Sequence, residues 1–235
     1  MLTEQRYSQQ SMDHGPWTTD IHQALPVMEA FYTLQGEGFH QGKAAYFIRL
    51  GGCDVGCFWC DVKESWDASL HPQKTIEEII EAAKREMSQR SIDPGPSAID
   101  HSQPVFVITG GEPLLHNLDA LTQQLRNEDF KTHIETSGSS PLSGYWDWIC
   151  LSPKKFKKPL PAVFAAASEL KVIVYNKSDF KWAEEQAEKV NGNCYLYLQP
   201  EWSKHAQLLP QIIEYVKQNP KWMISLQTHK YMNIP

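Results

Sequence analysis

No run in this sequence approaches the roughly 20 consecutive apolar residues that a membrane-spanning helix requires. The N-terminus is polar, without the apolar stretch of a secretory signal. Positive charge is also in short supply. The formal net charge is −6, whereas a nucleic-acid binder carries Arg/Lys stripes, because phosphate contacts supply most of its affinity. The one basic run, Lys154-Lys155-Phe156-Lys157-Lys158, reads by itself as a solvated turn. Internal repeats and low-complexity tracts are absent. Cysteine is scarce and odd in number: five, of which three fall within eight positions, a pattern suited to metal ligation rather than disulfides. These absences predict a cytoplasmic protein, where thiols stay reduced, that binds neither membrane nor nucleic acid.

What is present suffices for one domain. Of 235 residues, 41% are hydrophobic and 21% charged, enough for a substantial core and unlike a disordered chain. Residues 1–26 are polar and aperiodic and read as an N-terminal extension that orders on dimerisation; residues 27–235 make the domain. β-like runs at 27–33, 44–50, 105–109, 132–135, 148–152, 170–175, 195–198 and 223–226 alternate with helical patterns. The clearest helix begins at Thr75, where Thr75-x-x-Glu78 has capping-box form and Ile76, Ile79, Ile80, Ala83 and Met87 share one face. Weaker patterns cover 118–128, 179–190 and 204–218, the last expected to be bent or delayed by Pro210. A surface loop rich in Pro, Ser and Asp is expected at 91–104.

Strands alternating with helices imply an α/β fold with a mainly parallel sheet, in which ligands bind at the carboxyl ends of strands. The unusual segments fall at such ends: Gly51-Gly52-Cys53, Thr109-Gly110-Gly111-Glu112-Pro113, Glu135-Thr136-Ser137-Gly138, Ser152-Pro153-Lys154, Gln199-Pro200-Glu201 and Gln227-Thr228-His229-Lys230. Six polar or glycine-rich strand ends on one rim describe one large site.

The spacing Cys53-x-x-x-Cys57-x-x-Cys60 is its most specific part. Three thiolates on one loop hold three irons of a cubane and leave the fourth open. The competing reading is zinc, which takes four closed ligands in structural sites; His40 or a later histidine would have to supply the fourth. Cys150 and Cys194 fall within strand-like runs and read as packing residues. Glycines at 110 and 111 let backbone approach a ligand.

The cysteine spacing, the aromatic pair Phe58-Trp59 and Gly110-Gly111-Glu112-Pro113 resemble the radical S-adenosylmethionine (SAM) superfamily. Within it, Leu34-Gln35-Gly36-Glu37-Gly38, Arg49, Glu135-Thr136-Ser137-Gly138, Ser152-Pro153-Lys154 and the segment from Gln227 to Pro235 resemble the 7-carboxy-7-deazaguanine synthase family, over nearly all of the chain from Val27. The resemblance implies a partial (incomplete) TIM-type β/α barrel holding a [4Fe-4S] cluster on Cys53, Cys57 and Cys60. It implies conversion of 6-carboxy-5,6,7,8-tetrahydropterin to 7-carboxy-7-deazaguanine with loss of ammonia, in 7-deazapurine (queuosine) biosynthesis. The reduced cluster cleaves SAM to a 5′-deoxyadenosyl radical, which takes a hydrogen from the pterin and returns it.

The pterin would be held by Leu34, Gln35, Gly36, Glu37, Arg49, Thr109, His229 and the terminal carboxylate of Pro235. SAM would be held by Trp59, Asp61, Gly111, Glu112, Ser137, Ser152, Pro153, Lys154, Gln199, Pro200, Glu201 and Trp202. A flavodoxin or ferredoxin electron donor and a homodimer are also implied. One position departs from the pattern. The family has a threonine that ligates Mg²⁺ two residues after the last cysteine, where this chain has Val62; a valine side chain offers no oxygen to a hard cation, so either Asp61 or a nearby group such as Ser65 takes over, substrate and water alone hold the ion, or metal dependence is weak. The nearest rival within the superfamily is a glycyl-radical-enzyme activase, which shares the cysteines and Gly-Gly-Glu-Pro but needs a protein-docking groove. A noncatalytic zinc module is the rival outside it.

Overall fold

The computed structural model describes residues 21–90 and 104–235. Most of the expected N-terminal extension and of the 91–104 loop therefore lies outside the described residues. Nine strands form one sheet in the order β3-β1-β2-β4-β5-β6-β7-β8-β9. They are β1 (Ala24–Leu34), β2 (Ala44–Leu50), β3 (Gln73–Thr75), β4 (Val105–Gly110), β5 (Thr132–Thr136), β6 (Trp148–Leu151), β7 (Glu169–Val174), β8 (Tyr195–Pro200) and β9 (Trp222–Ile224). From β2 to β9 every neighbouring pair is parallel. β1 runs antiparallel to β2 and to β3. The sheet does not close, since β3 and β9 remain its edges; this is the partial β/α barrel.

Helices cover the outside: α1 (Ile76–Arg90), α2 (Asp119–Asn127), α3 (Pro161–Ala166), α4 (Ser178–Ala187) and α5 (His205–Gln218), whereas the short α6 (Thr228–Met232) brings His229 to the cavity. The capping box forms as its sequence predicts. Thr75 N–H donates to Glu78 Oε2 at 2.7 Å and Glu78 N–H to Thr75 Oγ1 at 3.2 Å, each satisfying an otherwise orphaned donor. α1 then buries Ile76, Ile79, Ile80, Ala83 and Met87 against β1, β2, β4 and β5, each large side chain contributing about 1.5–3 kcal/mol. A second core joins α3, α4 and α5 to β6–β9.

Several boundaries differ from expectation. β1 begins at Ala24, because residues 24–26 pair with β3, a three-residue strand too short to leave a periodic signal. α5 starts at His205 and runs through Pro210 without a break. Pro210 lies only in the second turn, and removes a single helical bond, the one to Ala206. The helices α3 and α6, six and five residues long, are also below the length at which periodicity shows.

Strand alternation decides what the barrel encloses. Tyr46, Ile48, Leu50, Phe106, Ile108, Ile134, Ile149, Leu151, Leu170, Val172, Val174 and Leu198 point outward into the helical cores. The alternate residues point inward: Phe47, Arg49, Thr109, Glu135, Lys171, Ile173 and Gln199 reach the enclosed cavity. Its upper rim is the set of carboxyl strand ends, as the sequence predicts. The 35–43 loop enters from below. β1 runs opposite to β2, so this loop leaves the lower end of the barrel and folds up inside it, anchored by Gly38 N–H to Ser225 Oγ (3.0 Å) and Phe39 N–H to Glu169 Oε2 (2.9 Å).

Candidate active site

Cys53, Cys57 and Cys60 line one cavity of about 270 Å³ together with residues from the strand ends and the C-terminal segment. Their loop is held by backbone bonds: Cys53 N–H to Trp66 O (3.0 Å), Gly52 N–H to Ser65 O (2.6 Å) and Cys60 N–H to Cys57 O (3.0 Å). The Gly110-Gly111 pair locks onto it. Gly110 has φ +147, and a Cβ there would meet Leu50 O at 2.2 Å; a Cβ on Gly111 would meet Gly52 O at 2.2 Å and Cys53 Cβ at 2.7 Å. Only glycine lets β4 approach the cysteine loop this closely. Burial raises the Cys53 thiol and pushes Cys57 up to about 11, so both stay protonated until a metal displaces the proton. The three thiols share one loop and one cavity, a donor set that fits three irons of a cluster and falls one ligand short of a closed structural zinc site. His40, the conceivable fourth zinc ligand, packs instead on His133 and Trp148, with ring centroids 4.4 and 4.5 Å away, and does not line the cavity.

The cavity floor is polar and charged. Glu37 N–H donates to Gln35 Oε1 (3.0 Å), Gln35 Nε2 to Glu135 Oε1 (3.0 Å), and Gln227 Nε2 to Glu37 Oε1 (3.0 Å). Lys171 from β7 ion-pairs with Glu37 and, at 3.4 Å, with Glu135. Burial alone would raise Glu37; the adjacent Lys171 ammonium, with hydrogen bonds from Lys171 and Gln227, draws it down to about 2. Burial lowers His229, against the nearby Glu37, so its imidazole is neutral at pH 7. Gly36 packs directly under that ring: a Cβ would meet His229 Nδ1 at 2.3 Å. Thr228 N–H and Oγ1–H both donate to Gly36 O at 2.9 Å, tying the C-terminal segment to the floor. Leu34, Thr109 and Pro235 complete this end, with Pro235 O accepting from Thr33 Oγ1 at 3.4 Å.

Arg49 lines the cavity from the end of β2 while its Nε donates to Glu29 Oε1 at 2.6 Å. The guanidinium keeps further donors free for an anion. Across from it lie Ser137, Ser152, Lys154, Gln199, Pro200, Glu201 and Trp202, with Trp59 and Asp61 from the cysteine loop. Lys154 donates to Ser152 O (2.9 Å) and Oγ (2.6 Å) and lies 5.6 Å over the Trp59 ring. It therefore leaves the basic run, whose Lys155 and Lys157 pair with Asp179 and Asp54. Glu201 caps the following turn through Ser203 N–H (3.1 Å) and Oγ–H (2.6 Å).

The residues beside Cys60 do not fit a Mg²⁺ ion of their own. Val62 has no oxygen, and Asp61 Oδ2 accepts from Lys230 Nζ at 2.8 Å, placing a cation where a metal would need free carboxylate.

Two residues expected to contact SAM, Glu112 and Pro153, do not line the cavity. Glu112 is 1% exposed, and its carboxylate accepts from Thr136 Oγ1 (2.5 Å), Ser137 N–H (2.8 Å), Ser137 Oγ and Leu114 N–H (3.0 Å). It is an anchor joining two strand ends behind the cavity, and every lone pair is committed. Pro153 is buried and does not line the cavity; its neighbours Ser152 and Lys154 do. Conversely, sequence reading placed Glu135 and Gln227 among the strand ends of the site without a role of their own, and it missed Lys171. A signal for Lys171 was present: a lone charge in Leu170-Lys171-Val172-Ile173-Val174, which no solvated strand face explains.

No family model matches the chain. Curated relatives named 7-carboxy-7-deazaguanine synthase do. That of Flavobacterium psychrophilum is 56% identical over 211 residues, covering 90% of this chain and 93% of the relative. The Synechocystis protein is 44% identical over 223 residues, covering 95% and 100%, and the Escherichia coli K12 protein 33% over 221 residues, covering 89% and 98%. Among solved structures, QueE from Escherichia coli superposes with a TM-score of 0.75 at 28% identity, covering 90% of this chain and 99% of that one. Identity of this level, sustained across almost the full length of each relative, places the chain in the 7-carboxy-7-deazaguanine synthase family.

Proposed function

We propose that this protein converts 6-carboxy-5,6,7,8-tetrahydropterin to 7-carboxy-7-deazaguanine with loss of ammonia, as a radical SAM enzyme of 7-deazapurine biosynthesis. The observation that carries this reading is the polarity of one cavity. Three cysteines and Lys154 border one end, an anion-seeking Arg49 another, and the Gln35–Glu37–His229 floor a third. When bound, a [4Fe-4S] cluster on Cys53, Cys57 and Cys60, together with SAM, supplies the one-electron chemistry that breaks a substrate C–H bond.

The chain's own residues bind and orient. Arg49 receives the substrate carboxylate bidentately. Glu37, an anion at working pH, accepts from the N–H groups of the ring edge, and Gln35, with both donor and acceptor atoms, reads its neighbour. Neutral His229, Thr109, Leu34 and Pro235 close the ring pocket. Gly111 leaves backbone open to the SAM amino group, while Ser152, Lys154, Gln199 and Glu201 hold the rest of that cofactor. No step is routed through Mg²⁺.

A flavodoxin or ferredoxin serves as reductant, the active unit is a homodimer, and the enzyme works in the cytoplasm. No helix among the described residues is long and apolar enough to cross a membrane. The deciding experiment is an anaerobic incubation of reconstituted enzyme with the carboxypterin, SAM and a one-electron reductant. Formation of the deazaguanine acid is expected. SAM cleavage without that product would leave only a radical SAM enzyme of another substrate class. Cys57→Ser should lose the brown colour and all turnover; Cys150→Ser should retain the colour.

A further inference from the structure

Lys171 is the one cavity residue whose presence in an apolar strand has no packing explanation. Its side chain is 3% exposed, and it reaches Glu37 and Glu135 at once, from β7, across the floor. We propose that Lys171 is the positioning residue of the substrate floor: its ammonium fixes Glu37 as a pure hydrogen-bond acceptor, and so makes the pocket select a ring whose edge presents N–H donors. The proposal rests on the reading that Glu37 meets the ring edge of a pterin.

The argument is one of charge and shape. A carboxylate carrying its proton presents one donor and a weakened acceptor; an ionised one presents acceptors only. Glu37 is only 14% exposed, and burial alone would keep its proton on. Gln227 Nε2 already occupies Oε1, and Lys171 takes Oε2; each oxygen retains a second acceptor direction for a ligand. Lys171 itself is kept charged from behind. Burial opposes its charge, but the Glu135 and Glu37 carboxylates that it pairs with, and Glu169, hold it well above its ordinary value. Burial raises Glu169, and raises Cys150 so strongly that its thiol stays neutral and adds no charge at working pH. The other titratable group facing Glu37 is His229 from α6, lowered by burial; Lys154 faces Lys171 from β6's end. One cation thus serves two floor carboxylates, and no second cation among these groups reaches Glu37 within ion-pair distance.

The test uses cluster-loaded, full-length enzyme, with KM and kcat for the carboxypterin measured from pH 6 to 9. Wild type should show a KM without a titration from Glu37. Lys171→Met should raise KM at least about 30-fold at pH 6.5, the defect shrinking as pH rises and Glu37 ionises unaided. Lys171→Arg should keep the flat profile, and Lys171→Met combined with Glu37→Gln should show a raised, pH-independent KM. Discrimination against an analogue bearing oxygen in place of the 2-amino group should fall at least 10-fold in Lys171→Met. A purely structural lysine would lower kcat or cluster content at unchanged KM, unchanged pH profile and unchanged discrimination; that overturns the proposal. If Lys171→Met does not fold, Glu37→Gln carries the test: a pH-independent KM rise of at least 10-fold supports it, and an unchanged KM overturns it. Wild type that carries the cluster and cleaves SAM, yet neither binds nor turns over the carboxypterin, overturns the functional reading, and this inference with it.

Discussion

The barrel interior holds two buried polar clusters, and burial has opposite consequences in them. In the floor cluster Lys171 keeps Glu37 ionised, at about 2. In the lower cluster His40 and His133, tilted rings 4.4 Å apart among Phe39, Trp148 and Tyr195, stay neutral. Burial lowers His40 to about 4 and His133 to about 3, with Lys43 adding to the effect on both and His40 to that on His133. Desolvation is similar in kind; the difference is a counterion in direct contact. Where one ion-pairs with the group, the group keeps its charge and becomes a tool for recognising polar ligands. Where the nearby acid only opposes the drop without reversing it, as Asp147 does at His133, the group gives up its charge and packs like an aromatic ring. Even an orphaned polar atom is tolerated there: His40 Nε2 and Trp148 Nε1 have no hydrogen-bond partner among the described residues.

The largest break in this comparison comes from removing the counterion. Lys171→Met should cost about 3–5 kcal/mol, because it strands buried carboxylates, and chemical denaturation at pH 7 should show it. His133→Phe, a change of similar size at similar depth, should cost under about 1.5 kcal/mol at pH 7. Equal losses would mean that the two clusters do not differ as described. Glu112 makes a third case, a buried carboxylate satisfied by neutral donors alone. Glu112→Gln replaces one carboxylate oxygen with an NH2 group that faces either the Thr136 and Leu114 donors or the two Ser137 donors, and should cost about 2–3 kcal/mol with loss of bound iron, since Glu112 N–H also holds Gly52 O at 2.8 Å. Full iron content at unchanged stability would reduce Glu112 to a spectator.

Acid separates the clusters by pH window. For His133 the folded value, about 3, lies below the ordinary 6.5. The unfolded chain therefore binds the extra proton first, and stability is complete above pH 6.5 and declines as pH falls toward 3. For Glu37 the folded value, about 2, lies below 4.5, so its contribution persists above 4.5 and is lost only between there and 2. Stability measured by denaturation should thus begin to fall just below pH 6.5, by up to about 1.4 kcal/mol per pH unit for each of His133 and His40, whose folded value of about 4 also lies below 6.5. His133→Phe should remove about half of that early slope while leaving the later one. An early slope unchanged by His133→Phe assigns it to other groups.

Much of this architecture was legible beforehand because its signals are local. The capping box at Thr75, the cysteine triplet and the glycine pair each encode their geometry within a few residues. The strand ends that converge on the cavity could be read from alternating strands and helices alone. What escaped were relations between distant strands. Lys171 meets Glu37, separated by 134 positions, and Glu135, separated by 36, only because strand alternation points Lys171 and Glu135 inward and the 35–43 loop folds up inside the barrel to bring Glu37 to them. Glu112 shows the complementary case. It adjoins Gly111, which lines the cavity, yet its side chain turns away to bind Thr136 and Ser137. Register, not proximity along the chain, separates a ligand-facing carboxylate from an anchoring one.

The smallest effect belongs to the exposed version of the same ion pair. Lys230 and Asp61 lie at 2.8 Å like any good salt bridge, but their side chains are 21% and 59% exposed, so water already screens both charges. Lys230 also lies 4.9 Å over Trp202 and donates to Gln227 at 3.2 Å, so it has partners to fall back on. Lys230→Met should therefore change stability by under about 1 kcal/mol, against the several lost at Lys171, when both variants are melted side by side. It should also free the Asp61 carboxylate. If that pairing, together with Val62, is what denies Mg²⁺ a seat, calorimetric Mg²⁺ binding should be undetectable in the wild type and gain most from Val62→Thr combined with Lys230→Met. Tight Mg²⁺ binding by the wild type would show that oxygen donors other than these hold the ion.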